Sequence, residues 1–218
     1  MSTTPAPDLG LPEVPPRRRR RLLVRLVSIA TLVLVVDQVS KAWALRTLDE
    51  GVRTPVLGDL LGIQLLFNPG AALGLATGTT WLLTLVAVAV VVVIFRVSRR
   101  LGSRGWTVAL GLLLGGAVGN LVDRVIREPG VFRGHVVDFI AYGDLFVGNV
   151  ADIAIVAAAG LLMLLSLRGV RLDGTRDERG AADGPQDGAV PPTQDAVDTP
   201  APVPDPPRTV VETTGLDG

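Results

Sequence analysis

Four apolar segments constrain the fold of this 218-residue chain more than any other feature. They run from about Leu22 to Leu45, Thr80 to Phe95, Trp106 to Val122 and Val150 to Leu167. Each is near the roughly 20 residues that an α-helix needs to cross the hydrocarbon core of a bilayer. With 48% hydrophobic residues and a mean hydropathy of +0.45, the composition is that of an integral membrane protein. We therefore predict a mainly α-helical protein with four transmembrane helices.

Two of these segments admit a second interpretation. The valine-rich run from Val86 to Ile94 would also suit a buried strand, although the length and the flanking arginines of its segment favour a helix. The first segment follows five arginines and ends near Ala42-Trp43-Ala44, which partly imitates a cleavable signal peptide. Asp37 and Lys41 lie four residues apart on one helical face, and this spacing favours an ion pair within a retained helix.

The distribution of arginines predicts how the helices are oriented. Arginines precede the first segment, separate the second from the third and follow the fourth, so these ends are expected in the cytoplasm. They are Arg17 to Arg21, Arg96, Arg99, Arg100, Arg104, Arg168 and Arg171. Both termini are therefore predicted to be cytoplasmic, and the loops after the first and third helices extracytoplasmic.

Composition also argues against several classes of function. The formal net charge is zero, so no overall positive charge attracts nucleic acid. Cysteine is absent, which excludes disulfides, thiolate metal sites and a cysteine nucleophile. The one histidine, His135, lies in a polar loop segment and cannot build a metal site alone.

Three aspartates lie at the predicted outer ends of the helices. Asp37 is near the end of the first helix, Asp123 ends the third and Asp152 begins the fourth. A carboxylate at membrane depth costs about 2.5–3.5 kcal/mol on insertion scales, so such residues indicate a functional site. Two carboxyl groups about 3 Å apart do not both ionise readily, and one then holds a proton while the other acts as a base. We predict that Asp123 and Asp152 form this pair.

The third segment carries a further pattern of small and polar residues. Gly111, Gly115 and Gly119 recur every four residues, and small residues at this spacing let membrane helices approach closely. For Gly111 and Gly115 we expect a role in packing only. Asn120 precedes Asp123 by three residues, as Asn149 precedes Asp152, so each amide shares a helical face with an acid that it could orient.

The two extracytoplasmic stretches contain local structure of their own. Thr54 to Leu57 and Ile63 to Phe67 are typical of short strands, and the turn signal Asn68-Pro69-Gly70 closes the second. These residues predict a small extracytoplasmic β element. The stretch between Arg124 and Gly148 mixes apolar and charged residues, which predicts an interfacial loop that covers the acids.

Two tails flank the predicted transmembrane domain of residues 22–168. Residues 1–21 are basic and rich in proline, and residues 169–218 turn to Asp, Gly, Pro and Thr. Neither composition can bury a core, so both tails are predicted to be disordered.

The residues considered so far leave three functions open. Intramembrane acids beside a lysine and an arginine are typical of proton or cation transporters as well as of aspartic peptidases. A transporter would distribute its acids through the depth of the membrane or repeat one half of its chain, and this sequence does neither. A purely structural helix bundle would tolerate replacement of Asp123 and Asp152 by asparagine.

Five short motifs, in order along residues 22–168, resemble those of signal peptidase II, the lipoprotein signal peptidase family of bacteria. They are Asp37-Gln38-Val39-Ser40-Lys41, Asn68-Pro69-Gly70-Ala71-Ala72, the run from Gly115 to Arg124, Val137-Asp138-Phe139 and Asn149-Val150-Ala151-Asp152. The third matches the GGxxGNxxDR signature of that family.

This resemblance implies an aspartic endopeptidase of the bacterial cytoplasmic membrane, with its active site near the extracytoplasmic face. It implies removal of the signal peptide from prolipoproteins that carry a diacylglyceryl-modified cysteine, in contact with membrane lipid and without metal or cofactor. We expect the enzyme to act as a monomer. The resemblance assigns catalysis to Asp123 and Asp152, substrate binding to Asn68, Gly70, Asn120, Arg124 and Asn149, and a supporting role to Asp37, Lys41 and Asp138.

Two positions depart from the family pattern. Leu73 and Gly148 stand where the family usually has aromatic residues. We therefore expect a substrate groove of different shape, in which Phe146 substitutes for the aromatic side chain that position 148 lacks.

Overall fold

Four helices and a four-stranded sheet form the part of the chain that the computed structural model describes, residues 15–70 and 80–176. The helices are α1 (Pro16–Thr47), α2 (Thr80–Ser98), α3 (Arg104–Ile126) and α4 (Val150–Leu167). The strands are β1 (Arg53–Leu57), β2 (Leu61–Asn68), β3 (Val136–Tyr142) and β4 (Phe146–Gly148).

All four helices are long and apolar enough to cross a membrane, which confirms the predicted fold class. Large apolar side chains point outward along them, as they do where a helix faces lipid rather than water. Examples are Val27, Leu32, Val92, Phe95 and Val156. The valine-rich segment is part of helix α2, so its interpretation as a strand was wrong.

Helix α3 contacts the other three helices, and its glycines set how closely they approach. A Cβ atom on Gly111 would lie 2.9 Å from the Cβ of Ile29, and one on Gly115 would lie 2.6 Å from that of Val33. Both neighbours belong to α1, so the predicted packing role of these two glycines is confirmed. On another side of α3, a Cβ on Gly116 would lie 2.6 Å from a backbone oxygen of α4.

The sheet is antiparallel with the order β1-β2-β3-β4. It confirms the predicted small β element and enlarges it from two strands to four. Leu65 of β2 packs with Val137 and Phe139 of β3 against Ala44, in the last turns of α1. The sheet therefore lies at the end of the bundle where α1 and α3 finish and α4 begins.

The interfacial loop predicted between Arg124 and Gly148 was wrong for residues 136–142 and 146–148, because these form strands β3 and β4. The side chains of β3 are almost all buried, since the strand is covered on both faces. Such a strand does not alternate between apolar and polar residues, and a pattern of period two could not reveal it.

Helix α1 begins at Pro16, before the predicted domain boundary at Leu22. Proline suits the first turn of a helix and arginine is a good helix former, whereas hydropathy detects only the apolar part of the span. At the other boundary, residues 170–176 also have defined structure, with a bridge between Val170 and Arg176. The rest of both predicted tails, residues 1–14 and 177–218, lies outside the described residues.

Candidate functional site

The first turn of α4 places Asp152 through a reciprocal pair of hydrogen bonds. The side chain of Asn149 accepts from the backbone N–H of Asp152 at 3.0 Å, and the Asp152 carboxylate accepts from the N–H of Asn149 at 3.1 Å. This capping box satisfies two backbone donors that a helix start otherwise leaves unpaired. It also directs a partly exposed carboxylate toward the sheet-facing end of the bundle.

A buried cluster around Lys41 joins α1 to α3. The Lys41 ammonium is 2.9 Å from the Asp37 carboxylate and 2.8 Å from the Asp123 carboxylate, and all three side chains are fully buried. The predicted Asp37–Lys41 ion pair is therefore present. The third lysine donor is directed to the side-chain oxygen of Asn120 at 3.0 Å, so each N–H of the ammonium has an acceptor.

Asp123 is held by cations and by the sheet. Lys41 contacts its Oδ2, and the backbone N–H of Val137 donates to the same oxygen at 3.2 Å. The Nε of Arg127 donates to Oδ1 at 2.7 Å. Among the hydrogen bonds of residues 15–70 and 80–176, none joins Asp123 to Asp152. Both oxygens of Asp123 are thus engaged by Lys41, Arg127 and the backbone of Val137.

Asp37 links α1 to the start of α4. One of its oxygens accepts from the backbone N–H of Ala151 at 3.0 Å, and the other accepts from Gln38 at 3.1 Å. A Cβ on Gly119 would lie 2.6 Å from this carboxylate, so only glycine fits at that point of α3. These contacts fit the supporting role expected of Asp37.

Asp138 lies within β3 and is 1% exposed. Its two oxygens accept from the side-chain amides of Asn68 at 2.8 Å and Asn149 at 2.6 Å. Burial and, second, the nearby negative charge of Asp152 raise the pKa of this carboxyl from 3.8 to about 7, against the lowering effects of the two amides and Lys41. Asp138 is thus positioned to carry a proton near neutral pH.

Asparagine side chains connect the two groups of acids. Asn120 donates to the Asp152 carboxylate at 2.9 Å, while its oxygen accepts from Lys41 and, at 3.2 Å, from Asn149. Asn149 in turn contacts Asp138 through its side chain and Asp152 through its backbone. The structure therefore brings together all three asparagines expected at the site, around Asp138 and Asp152.

Arg124 and Gly70 complete the set of predicted binding residues. Arg124 is buried, acts electrostatically on Asp138, Asp123 and Asp152, and has an Nη1 atom with no hydrogen-bond partner among the described residues. A buried guanidinium nitrogen in this state is costly, which makes it a candidate donor to a bound peptide. Gly70 has a φ of 111° and donates its N–H to Asn68 at 2.7 Å, so it fixes the amide that reaches Asp138.

Of the two positions that depart from the family pattern, Gly148 lies within the described residues. Leu73 lies outside the described residues. At Gly148, a Cβ would lie 3.1 Å from the Asp152 carboxylate and 3.4 Å from the ring of Phe146, which stacks on Tyr142. The Phe146 ring thus occupies the space beside position 148, as expected of a substitute for the missing aromatic side chain.

Asp138 has contacts beyond those that its expected supporting role requires. Asp138 was expected only to support the site, yet it shares Asn149 with Asp152 and its pKa is strongly raised. The available signal was an aspartate inside the apolar run VVDFIAY, because burying an acid is costly unless it is paired or hydrogen-bonded. In the described part of the chain, no cluster of three or more acidic, histidine or cysteine side chains is arranged to hold a metal ion.

Comparison with known proteins gives concordant results. A family model described as signal peptidase (SPase) II matches residues 29–168. The lipoprotein signal peptidase of Rhodococcus jostii (strain RHA1) is 49% identical over 170 residues, which cover 78% of this chain and 85% of that protein. The lipoprotein signal peptidase of Mycobacterium avium (strain 104) is 50% identical over 173 residues, covering 79% and 92%.

A solved structure of a bacterial membrane enzyme, obtained by the in meso method at 1.9 Å resolution, has a similar fold. Its TM-score is 0.58 and its sequence is 28% identical, with 66% of this chain and 92% of that chain covered.

Proposed function

Because the chain belongs to the signal peptidase II family of membrane enzymes, we propose that it cleaves signal peptides from prolipoproteins with an aspartate pair formed by Asp138 and Asp152. The observation that carries this proposal is the shared contact with Asn149, whose side chain binds one acid and whose backbone N–H binds the other. The negative charge of Asp152 also raises the pKa of Asp138, as expected for two acids that share a proton.

This proposal exchanges Asp123 for Asp138 in the pair expected from sequence. Both oxygens of Asp123 accept from cations, Lys41 on one side and Arg127 on the other. Among the described residues, the hydrogen-bond donors to Asp138 and Asp152 are neutral asparagine amides and a backbone N–H. A general acid and a general base must exchange protons with the substrate, and neutral hydrogen-bond donors allow this more readily than a permanent cation does.

The proposed reaction follows from the different surroundings of the two acids. Asp152 acts as the base: it removes a proton from a water molecule, whose oxygen attacks the carbonyl carbon of the scissile peptide bond. Asp138 donates its proton to the carbonyl oxygen, which gives a neutral tetrahedral intermediate. When the C–N bond breaks, Asp152 transfers its proton to the leaving nitrogen and Asp138 recovers one from the hydroxyl group.

The surrounding polar groups support peptide binding at this pair. The unpartnered nitrogen of Arg124 is available to donate to a substrate carbonyl group, and Asn68 with Gly70 holds the turn beside Asp138. We propose that the substrate is a prolipoprotein with a lipid-modified cysteine. The arginines at the opposite ends of the helices support an orientation with both termini cytoplasmic and the site near the extracytoplasmic face. A single chain contributes all of these groups, in keeping with a monomer.

The test compares three single substitutions in proteoliposomes that contain a diacylglyceryl-modified prolipoprotein. We expect Asp138→Asn and Asp152→Asn to lower the cleavage rate at least a thousandfold with little change in thermal unfolding, because each removes a proton-transfer group. Asp123→Asn should mainly lower the thermal stability, because it disrupts a buried ion pair. Cleavage is followed by the change in gel mobility of the substrate.

Two results would contradict the proposal. If Asp138→Asn cleaves at the wild-type rate while a folded Asp123→Asn protein is inactive, the pair is the one expected from sequence. If all three variants cleave normally, the acids have a purely structural role.

A further inference from the structure

We propose that a groove between α1 and α3, at the end of the bundle far from the acids, binds the headgroup and part of one acyl chain of an anionic phospholipid. This site lies beyond the proposed peptidase activity. The helix ends that surround it are joined by hydrogen bonds: Arg18 donates to the carbonyl of Gly102 at 2.9 Å, and the Trp106 indole donates to the carbonyl of Val170 at 2.8 Å. The N-terminal ends of α1 and α3 and the C-terminal end of α4 therefore form one surface.

That surface is strongly positive although the chain as a whole has no net charge. Its arginines are Arg17 to Arg21, Arg25, Arg96, Arg99, Arg100, Arg104, Arg168, Arg171 and Arg176. Among the described residues it has a single acid, Asp173, whose carboxylate accepts from the backbone N–H of Thr175 at 2.9 Å and from its hydroxyl at 2.7 Å. The positive charge of this end consequently needs a counter-charge from elsewhere.

The groove combines this charge with apolar walls. It has a volume of about 370 Å³ and is lined by Leu22 and Ile29 of α1, by Val108 of α3, and by Arg25 and Arg104. Leu22, Arg25 and Ile29 follow at spacings of three and four, so they share one face of α1. Both arginines are exposed, and neither forms an ion pair with another described residue.

These features fit a phospholipid better than a free anion or an acidic peptide. Guanidinium groups bind phosphate oxygens in a bidentate manner, and basic pockets between membrane helices bind anionic headgroups. The apolar walls lie on helices that span the bilayer, where a lipid chain is the available apolar partner. The alternative counter-charge is the acidic segment 177–218 of the chain itself, but its sequence, rich in proline and aspartate, offers little that would fill an apolar groove.

The test measures lipid binding to the full-length chain in detergent by native mass spectrometry, with phosphatidylglycerol as the anionic lipid and phosphatidylcholine as the zwitterionic one. We expect the wild type to bind one phosphatidylglycerol in preference to phosphatidylcholine. The double variant Arg25→Gln/Arg104→Gln should bind phosphatidylglycerol at least tenfold more weakly. A control, Arg96→Gln/Arg168→Gln, removes the same charge from the same end outside the groove and should stay within twofold of wild type.

A third variant separates the groove from the charges. Ser28→Trp leaves the charge unchanged but introduces a bulky ring into the lining, and it should also weaken phosphatidylglycerol binding at least tenfold. Thermal unfolding midpoints near that of wild type establish that the variants are folded.

Three results would overturn the proposal. Equal losses in the two double variants would mean that bulk charge attracts the lipid, and normal binding by Ser28→Trp would mean that the groove is not used. If wild type shows no preference for phosphatidylglycerol, this surface does not select an anionic lipid.

Discussion

Replacement of Lys41 by methionine should destabilise the protein more than any other single substitution in α1. The lysine is the only one in the chain, is fully buried and donates to Asp37, Asp123 and Asn120. Methionine has a similar length but no donor, so two buried carboxylates lose a shared cation. Breaking a buried ion pair by removing one partner costs about 3–5 kcal/mol. With 1.4 kcal/mol for each factor of ten, this lowers the folding equilibrium constant roughly a thousandfold.

The free energy of unfolding can be measured by titrating the purified protein in mixed micelles with sodium dodecyl sulfate and following helical circular dichroism. A matched control is Arg46→Met, which removes an exposed cation from the last turn of the same helix and should change stability by less than about 0.5 kcal/mol. The double variant Lys41→Met/Asp37→Asn should recover about 1–3 kcal/mol relative to additivity, because one orphaned anion is then removed as well.

The reasoning fails if Lys41→Met unfolds within 1 kcal/mol of wild type, on the order of the cost of an exposed pair. It also fails if the double variant shows no coupling, because the two side chains would then not share a buried interaction. Reaction with an amine-specific reagent gives an independent check. Wild-type Lys41 should become labelled only on unfolding, since its side chain is fully buried.

Three further predictions concern packing, protonation and helix capping. Gly115→Ala should destabilise the bundle by more than about 1 kcal/mol, because the new Cβ would clash with Val33. Gly160→Ala has open space around it and should be neutral or slightly stabilising. The same detergent titration measures both. The pKa of Asp138 is raised from its ordinary value of 3.8 to about 7, so between these pH values the native state binds a proton that the unfolded state has released. The free energy of unfolding should therefore fall as pH rises through this window, by at most about 4 kcal/mol. Thermal unfolding from pH 4 to 8 tests this, and an Asp138→Asn protein with the same slope would contradict it. Asn149→Ala should lower the free energy of unfolding by about 1 kcal/mol, because the helix cap is lost, and it should also lower the cleavage rate. A loss of stability without a loss of cleavage would mean that the asparagine does not position the acids.

The sequence predicted the parts of the fold that depend on local length and spacing. Four spans follow from hydropathy, and the Asp37–Lys41 pair and the glycine contacts follow from helical periodicity. Strand β3 was not predictable in this way, because its neighbours in the sheet and its contact with α1 decide which faces are covered. Its burial is a tertiary property that no short window of sequence contains.

The same limitation applies to Asp138, which we propose in place of Asp123 as the partner of Asp152. Asp123 stands at a helix end in the most conspicuous motif, whereas Asp138 lies in a segment whose structure was predicted incorrectly. Only the antiparallel pairing of β2 with β3, which places Leu66 opposite Asp138, positions that acid in the folded sheet. The residue types predicted the chemistry of an aspartate pair, but the proposal of Asp138 as a member depends on strand register.

Charge balance within the site gives a physical reason for this choice. Within residues 15–70 and 80–176, four carboxylates lie around the helix ends, on Asp37, Asp123, Asp138 and Asp152. The cations in contact or in electrostatic range of them there are Lys41, Arg124 and Arg127. Four negative charges against three positive ones leave an excess of one, which a proton on one carboxyl group removes. Ionisation is penalised most where burial is high and direct donors are neutral, and Asp138 meets both conditions. The ion pairs of Asp37 and Asp123 therefore do more than hold α1 against α3. Because they use two of the three cations, they leave the proton to Asp138 and Asp152, where the proposed mechanism requires it.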